Sequence, residues 1–343
     1  MKTECPDISI DCKKLNGKPV YTITVNEVIN FKSAFDHKLL CTGPTFSLGS
    51  ACAYMCSFCY VESVVQKHPE VQKLRAELDS KGLQFEQVVI VRNAALDIMR
   101  EQLTIRKPRN VDLQAPGVIF SSPLVDPSPN MQMALQTAQG CCIVLELTNW
   151  DIRLLSKSNL LPEVAKKIPE KFKHRLIYGV STGTLDNKLA KAFEQGTALV
   201  SKRLESLHWL QDNGYRTYGM ICPSLPQEDY DGFARKMAEA IRVDRCEHVW
   251  GEVINLRGRA ISRTHDALKD GGFPQDAERL LSVCANGKRK AWEQYARDTF
   301  EALTRHIPPE KLRFLQYVKR DTADWWNERR PQGAVLLGAA AEQ

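Results

Sequence analysis

Eight consecutive residues, Cys52-Ala53-Tyr54-Met55-Cys56-Ser57-Phe58-Cys59, set three thiols in a C-x₃-C-x₂-C spacing. Thiolates are the preferred ligands of iron–sulfur clusters, and three on one tight loop can ligate three corners of a [4Fe–4S] cubane. A structural cluster takes a fourth cysteine. Three leave one iron open, and an open coordination position is where chemistry can occur. S-adenosylmethionine (SAM) can chelate such an iron through its amino and carboxylate groups. An electron from the cluster then breaks the sulfur–carbon bond and yields a 5′-deoxyadenosyl radical. In that scheme the chemistry belongs to the cofactor, and the protein supplies position and protection. The competing readings are a zinc site and three buried thiols. Structural zinc usually takes four protein ligands, and neither a second CxxC nor paired histidines follow at finger spacing. A strand pattern before the motif and a helix pattern after it also favour the cluster.

Such a loop needs a scaffold. The chain has 343 residues, of which 43% are hydrophobic and 26% charged, ample for a sizeable core in one large domain or one domain plus an appendage. Short apolar runs read as strands: YTITV at 21–25, VVIVR at 88–92, GVIFSS at 117–122, RLLSKS at 153–158, RLIYGVST at 175–182, YRTYGMIC at 215–222 and HVWGEVINL at 248–256. Helical spacing covers 61–80, 93–107, a start at 129–139, 160–168, 197–214 with a glycine stop, and 229–241. Repeated strand–helix units imply an α/β fold with a parallel sheet and helices outside. About six units are countable from the strand before the cysteines. The expectation is a partial TIM-type (β/α)₆ barrel whose active site lies at the C-terminal ends of its strands. Residues 1–38 read as an N-terminal extension, 39–260 as the barrel, and 261–343 as a mostly helical C-terminal appendage on the substrate side. The tail GAVLLGAAAEQ reads as loosely ordered.

No run of about 18 apolar residues exists, so no membrane span is expected. The opening MKTECPDISIDCKK lacks an apolar signal-peptide core, and a cytoplasmic location is expected. The eleven cysteines then read as thiols or metal ligands rather than a disulfide framework. The formal charge of +6 permits an acidic partner such as nucleic acid without demonstrating one.

The cysteine loop and its setting resemble the radical SAM superfamily. The stretches GSACAYMCSFCY at 49–60, LLSKS at 154–158, YGVSTGT at 178–184, KRLESLHWLQDNGYRTYGMICPSLP at 202–226 and GEVINLRGR at 251–259 resemble its spore photoproduct lyase-like branch, often described as DNA-repair photolyase-like. The resemblance covers residues 39–260. It implies that Phe58 and Tyr60 lie against the adenine end of SAM, that Lys157 meets the SAM carboxylate as a point cation, that Ser181 contacts ribose or carboxylate, and that Ile221 and Pro223 line the adenine pocket. Ser122 and Asp126, after the second barrel strand, join the candidate SAM contacts; Asp126 equally suits a helix cap before Ser128 and Pro129. The implied substrate is a nucleic-acid base, either damaged (repair) or chemically modified, and the implied electron donor is of flavodoxin or ferredoxin type. The lyase itself uses a hydrogen-donating cysteine after the second barrel strand. Here that stretch is FSSPLVDP at 120–127 and has none. Thymine-dimer reversal by the usual relay is therefore disfavoured, and rearrangement or modification of a modified pyrimidine in DNA suits the chain better.

Further side chains are candidates for the chemistry. Cys222 ends a strand at the expected mouth. Glu252 and Arg257, at the end of the last expected barrel strand, either touch SAM or substrate or close the barrel as an ion pair. Cys141 and Cys142 sit among Ile, Val and Leu and read as packed thiols before hydrogen donors. Tyr317, Trp325 and Trp326 stand among Lys319, Arg320, Arg329 and Arg330. That mixture suits phosphate contact with base stacking, or simply the packing of terminal helices. Three functional readings compete: a radical SAM enzyme acting on a nucleic-acid base, the same radical acting on a peptide or small molecule, and a non-catalytic Fe–S redox sensor or nucleic-acid-binding protein.

Overall fold

The computed structural model describes residues 14–338 except 16, 122, 257 and 286. They form two compact units. The first holds the described residues up to Asp36, then Leu40–Met55 and Tyr60–Tyr178; the second holds His37–Leu39, Cys56–Cys59 and the described residues from Gly179 onward.

The first unit contains β1 (Lys14–Leu15), β2 (Lys18–Ile23), β3 (Ile29–Asn30), β4 (Thr45–Phe46), β5 (Gly49–Cys52), β6 (Val89–Arg92), β7 (Gly117–Ser121) and β8 (Trp150–Ser156), with helices α1 (Val61–Val65), α2 (Pro69–Ser80), α3 (Ala95–Thr104), α4 (Met131–Leu147) and α5 (Leu161–Ala165). β9 (Leu176–Ser181) begins in this unit and ends in the second. The larger sheet runs β3-β4-β7-β8 and then the first half of β9. β4, β7 and β8 are parallel, with Thr45 opposite Phe120 and Gly117 opposite Trp150, and β3 is an antiparallel edge. Parallel strands covered on both faces need apolar side chains on both, which is why Ile119, Phe120, Ile152 and Leu154 are all buried. A separate small sheet runs β1-β2-β6-β5. The β-branched run at 88–92, expected as a strand, belongs here, parallel to β2 and antiparallel to β5.

Two details of this unit follow directly from residue type. The helix expected over 61–80 is broken, because Pro69 disfavours a helical conformation at the residue before it; His68 is extended (φ −72°, ψ 126°) and α2 restarts with Pro69 at its first position. α4 is buried through most of its length, from Met133 to Leu145, with Gln136, Thr137 and Gln139 among its buried residues. Asn130 caps its start by accepting the Met133 N–H at 3.0 Å. At its end Arg175 donates to the carbonyls of Leu145, Thr148 and Trp150 at 2.6–3.0 Å, supplying donors to carbonyls that a helix terminus leaves unsatisfied. Cys141 and Cys142 lie inside this helix, fully buried. They are packed thiols, and burial pushes Cys141 well above the ordinary thiol range.

The second unit contains α6 (Asn187–Phe193), α7 (Val200–Asp212), β10 (Arg216–Ser224), α8 (Tyr230–Ile241), β11 (Val249–Val253), α9 (Ala260–Asp270), α10 (Pro274–Cys284), α11 (Arg289–His306), β12 (Leu312–Tyr317), α12 (Arg320–Asn327) and β13 (Ala334–Leu337). Its sheet runs from the second half of β9 through β10, β11 and β12 to β13. The pairs from β10 to β13 are parallel, with Gly219 opposite Val249, Val249 opposite Leu312, and Phe314 opposite Ala334. α7 ends at the expected glycine, where Gly214 takes a φ of +72°.

The C-terminal region, mostly helical, also supplies two sheet strands, and α11 packs on β11 and β12. The tail expected to be loose includes β13, every residue of which is buried. Trp326 is fully buried and stacks on Phe314 at 5.7 Å, while its indole N–H donates to Glu293. Trp325 lies beneath two guanidiniums, Arg329 at 3.5 Å and Arg297 at 4.4 Å from its ring centroid. Both tryptophans pack the chain's own elements. No helix among the described residues is long and apolar enough to cross a membrane.

Gly179 in β9 lies under the ring of Tyr218, where a Cβ would stand 2.2 Å from the nearest ring atom. Tyr218 is itself fully buried and packed edge-on against Trp250 at 5.2 Å, so it has nowhere to move. Gly179→Ala should lower unfolding stability by about 1–3 kcal/mol or more through overpacking, read as a lower urea midpoint at unchanged m-value.

Candidate functional site

The cysteine loop belongs to both units, with Cys52 in the first and Cys56 and Cys59 in the second. In the first unit Cys52 ends β5 opposite Val89 and packs against a cluster that includes Ala53, Val89, Val91, Val125 and Met133. Ala53 (φ 58°) and Met55 (φ 52°) are both left-handed, a conformation that costs a non-glycine residue about 1–2 kcal/mol. Two of them close together turn the backbone tightly between the first and second cysteines. The Lys18 ammonium meets the Met55 sulfur at 3.8 Å. Tyr60, half exposed just before α1, donates its hydroxyl to the Pro123 carbonyl at 2.5 Å. The residue after the third cysteine is thereby tied to the turn that follows β7.

Asp126 lies in that same turn. Its Oδ1 accepts the Ser128 N–H at 2.9 Å and the Ser156 hydroxyl at 2.7 Å, and its Oδ2 accepts the Lys157 N–H at 2.7 Å. The Ser156 Oγ lies 3.0 Å from the Ser128 Oγ and accepts the Ser158 N–H at 2.9 Å. Asn130, not Asp126, caps the next helix. The carboxylate instead clasps the turn after β7 to the end of β8 and fixes the backbone of Lys157, whose side chain is half-buried.

In the second unit the arm Cys56–Cys59 is docked on a helix end. Cys56 forms an antiparallel bridge with Glu194, just past α6. The Ser57 N–H donates to the Phe193 carbonyl at 2.9 Å, and the Cys59 N–H returns to the Cys56 carbonyl at 3.1 Å. The Ser57 hydroxyl lies 2.8 Å from that of Thr264 on α9, and the rings of Phe58 and Phe193 pack at 5.8 Å. Beneath this arm Glu194 and Arg203 form a fully buried ion pair at 2.6 Å, with 1% and 0% of their side chains exposed. The guanidinium also donates to the carbonyls of Ser181 at 3.0 Å and Ala198 at 2.9 Å and to the Thr197 hydroxyl. That hydroxyl donates to the Glu194 carbonyl at 2.7 Å. Lys191 closes the end of α6 by donating to the Gln195 and Thr197 carbonyls at 2.9 and 2.7 Å; burial, and then the neighbouring Arg203 charge, lower its pKa.

The remaining candidates of this unit gather where β9, β10 and β11 end. The Ser181 hydroxyl donates to the Cys222 carbonyl at 3.0 Å. The Cys222–Pro223 peptide is cis, and the register of β10 against β11 shifts between Ile221 and Ser224. Ile221 is fully buried opposite Gly251. The Pro223 carbonyl oxygen fills the place where a Cβ on Gly183 would be, 1.7 Å away. The Cys222 sulfur meets one Glu252 oxygen at 3.7 Å, and the other oxygen pairs with Lys38 at 3.4 Å. Lys38 in turn lies 5.7 Å from the Tyr317 ring centroid, and its carbonyl accepts the Trp250 indole N–H at 2.8 Å. Among the described residues Glu252 forms an ion pair with Lys38. Arg257 and Ser122 lie outside the described residues. Tyr295 on α11 staples the two strand ends, donating to the Ser224 carbonyl and accepting the Ile254 N–H at 3.2 Å. Burial pushes its hydroxyl well above the ordinary tyrosine range.

Burial also lifts the scattered thiols, Cys41 and Cys246 to about 11 and Cys284 to about 12. They stay protonated near neutrality and so are poor nucleophiles and poor metal ligands. Among the described residues no group of three or more His, Cys, Asp or Glu side chains is disposed to hold a metal ion. The fit of Cys52, Cys56 and Cys59 to an iron–sulfur cluster rests on donor type and spacing.

Lys38 and Glu194 carry no motif signal, and Arg203 lies within the stretch at 202–226 without a role read for it. Only Arg203 has a readable signal of burial. It sits in line with Val200, Leu207 and Leu210, the buried stripe of α7, and a charge in an apolar stripe demands a buried partner.

Among solved structures the chain is similar to spore photoproduct lyase. One match is a variant with bound AdoMet and dinucleoside spore photoproduct (TM-score 0.48, 10% identity, covering 71% of this chain and 75% of that one). Another is a second variant (TM-score 0.49, 11% identity, covering 76% and 73%). No protein-family model and no curated protein matches the sequence.

The Asp126 clasp generates a graded expectation. Asp126→Ala removes a charged acceptor from three hydrogen bonds and should cost about 1.5–3 kcal/mol of stability. Asp126→Asn keeps one carbonyl oxygen for Ser128 and Ser156 and should cost less. Urea denaturation of the two variants would show it, and equal losses would refute the clasp.

Proposed function

We propose that the chain is a radical SAM enzyme that reductively cleaves SAM and acts on a nucleic-acid base, by rearrangement or modification rather than dimer reversal. The observation that carries this reading is the C-x₃-C-x₂-C loop, with its Cys56–Cys59 arm held by backbone hydrogen bonds to the end of α6. A ligand loop must keep its sulfurs fixed while the metal changes charge, and backbone pairing does this without using a side chain.

Cys52, Cys56 and Cys59 would hold the [4Fe–4S] cluster. When bound, a cluster with one open iron supplies the electron that splits SAM and so the means to abstract hydrogen from a substrate. The chain's own residues orient the partners. Lys157 is assigned to the SAM carboxylate, with its backbone pinned by Asp126. The Ser181 hydroxyl already donates to the Cys222 carbonyl. It therefore meets SAM as an acceptor, which suits a ribose hydroxyl and not a carboxylate. Phe58 and Tyr60 are assigned to the adenine end, with Ile221 and Pro223 behind it. The Tyr60 hydroxyl is engaged by Pro123, so its ring is what remains to be offered. Cys222 and Glu252 are assigned to the substrate side, where a Glu252 oxygen accepts from the thiol at 3.7 Å. The absence of cysteine in FSSPLVDP at 120–127 is why dimer reversal is not the proposed reaction. Reducing equivalents would come from a flavodoxin- or ferredoxin-type donor.

Anaerobic reconstitution with iron and sulfide, followed by measurement of 5′-deoxyadenosine release with and without oligonucleotides bearing modified pyrimidines, tests the reading. The expected result is a [4Fe–4S] absorbance, SAM cleavage, and stimulation by DNA. A stable cluster without SAM cleavage would establish the non-catalytic alternative. Stimulation by a peptide or small molecule but by no DNA would overturn the substrate. Zinc in place of iron would overturn the enzyme. Lys157→Ala should weaken SAM binding by about tenfold or more, the range for losing a hydrogen bond to a charged group, while the cluster spectrum stays intact.

A further inference from the structure

We propose that Arg203 and Glu194 are positioning residues for the cysteine loop, acting through the end of α6 on Cys56, Ser57 and Cys59; the part of this that concerns the cluster rests on the function proposed above. Burying two charges is expensive, and a buried ion pair can often be replaced by apolar residues of similar volume at no loss of stability. Packing alone therefore does not account for this pair. Direction does. Each arm of the Arg203 guanidinium ends on a chosen atom: the Glu194 carboxylate at 2.6 Å, the Ser181 carbonyl at 3.0 Å, the Ala198 carbonyl at 2.9 Å and the Thr197 hydroxyl. Thr197 passes the constraint to the Glu194 carbonyl at 2.7 Å.

Residues 193 and 194 are the edge on which the loop arm sits. Glu194 bridges Cys56, and the Phe193 carbonyl receives the Ser57 N–H at 2.9 Å. α6 has only seven residues, too few to hold its last turn by helix formation alone. Without the pair, the segment after Phe193 keeps the Lys191 contacts to Gln195 and Thr197, and the Glu194 backbone keeps Ala190 and Thr197, but the Glu194 side chain loses the partner that fixes this turn to α7 and the end of β9. The same guanidinium fixes the Ser181 carbonyl at the end of β9. One side chain therefore sets the loop arm and a proposed SAM contact in a common frame.

The test is peptide-resolved hydrogen exchange on the apo full-length chain, with chelator-driven bleaching of the reconstituted cluster as a second arm. The double variant Glu194→Met/Arg203→Met removes the pair without leaving a lone buried charge, and Arg203→Lys keeps the charge but loses the fork. The expected result is at least tenfold faster exchange over residues 56–59 in the double variant, with β12 exchanging as in the wild type, and a smaller effect in Arg203→Lys. Cluster bleaching should be at least fivefold faster. Unchanged exchange over 56–59, or a loss of protection equally large in β12, would overturn the proposal. If the double variant does not fold, Arg203→Lys alone decides by the same criterion. A wild-type protein that takes up no cluster would defeat the proposed function, and the exchange arm would still decide whether the pair holds the loop.

Discussion

A guanidinium and a carboxylate removed from water, each with essentially no exposed surface, form the contact on which the second unit's site depends. Taken from solvent, the two charges forfeit several kcal/mol of hydration apiece, and they are tolerable only because the surrounding backbone completes their hydrogen bonding. Arg203 reaches two carbonyls and a hydroxyl besides its carboxylate partner. Those groups lie in the turn between α6 and α7 and at the end of β9, regions where regular secondary structure leaves carbonyls without partners. The pair thus satisfies the irregular backbone that the chemistry-bearing segments require, and that backbone in turn makes the pair affordable.

The first unit uses the same logic with the charges reversed. There a carboxylate, Asp126, gathers two backbone N–H groups and a hydroxyl across the ends of β7 and β8. In both units a charged side chain fixes strand-end backbone, leaving neighbouring side chains (Lys157 in one, Ser181 in the other) anchored at the main chain. Tyr295 does a related task with a neutral group, bridging the ends of β10 and β11. Parallel sheets end in loops that carry function, and here the loops are held by buried polar contacts whose partners are far apart in sequence.

That distance explains what sequence reading reaches and what it misses. The strand–helix alternation from 117 to 256 is local, so it was legible, as was the glycine stop of α7. β12 was hidden because RFLQY sits between lysines and arginines and reads as a basic surface. β13 was hidden because four apolar residues are too few to assign. The cysteine spacing was legible because all three thiols lie within eight residues. Glu252 reads from sequence equally as a SAM or substrate contact and as an ion-pair residue with Arg257, and the lysine it meets, Lys38, lies 214 positions away, beyond any periodic signal. Asp126 was weighed as a helix cap because Pro127-Ser128-Pro129 looks like a helix start; Asn130 takes that role, and the carboxylate faces a strand end that only the fold brings near.

Trp325 has a consequence of its own. An indole with Arg297 and Arg329 over its ring must give up such a contact to serve as a platform for a nucleobase, and Trp326 is withdrawn into the core. If the C-terminal basic stretch meets a polynucleotide at all, it does so through the sugar–phosphate chain. Such an encounter displaces condensed counterions and weakens steeply with ionic strength, yet it discriminates poorly between one base and another. Any selectivity for a particular lesion or modification must then arise elsewhere than at this aromatic pair.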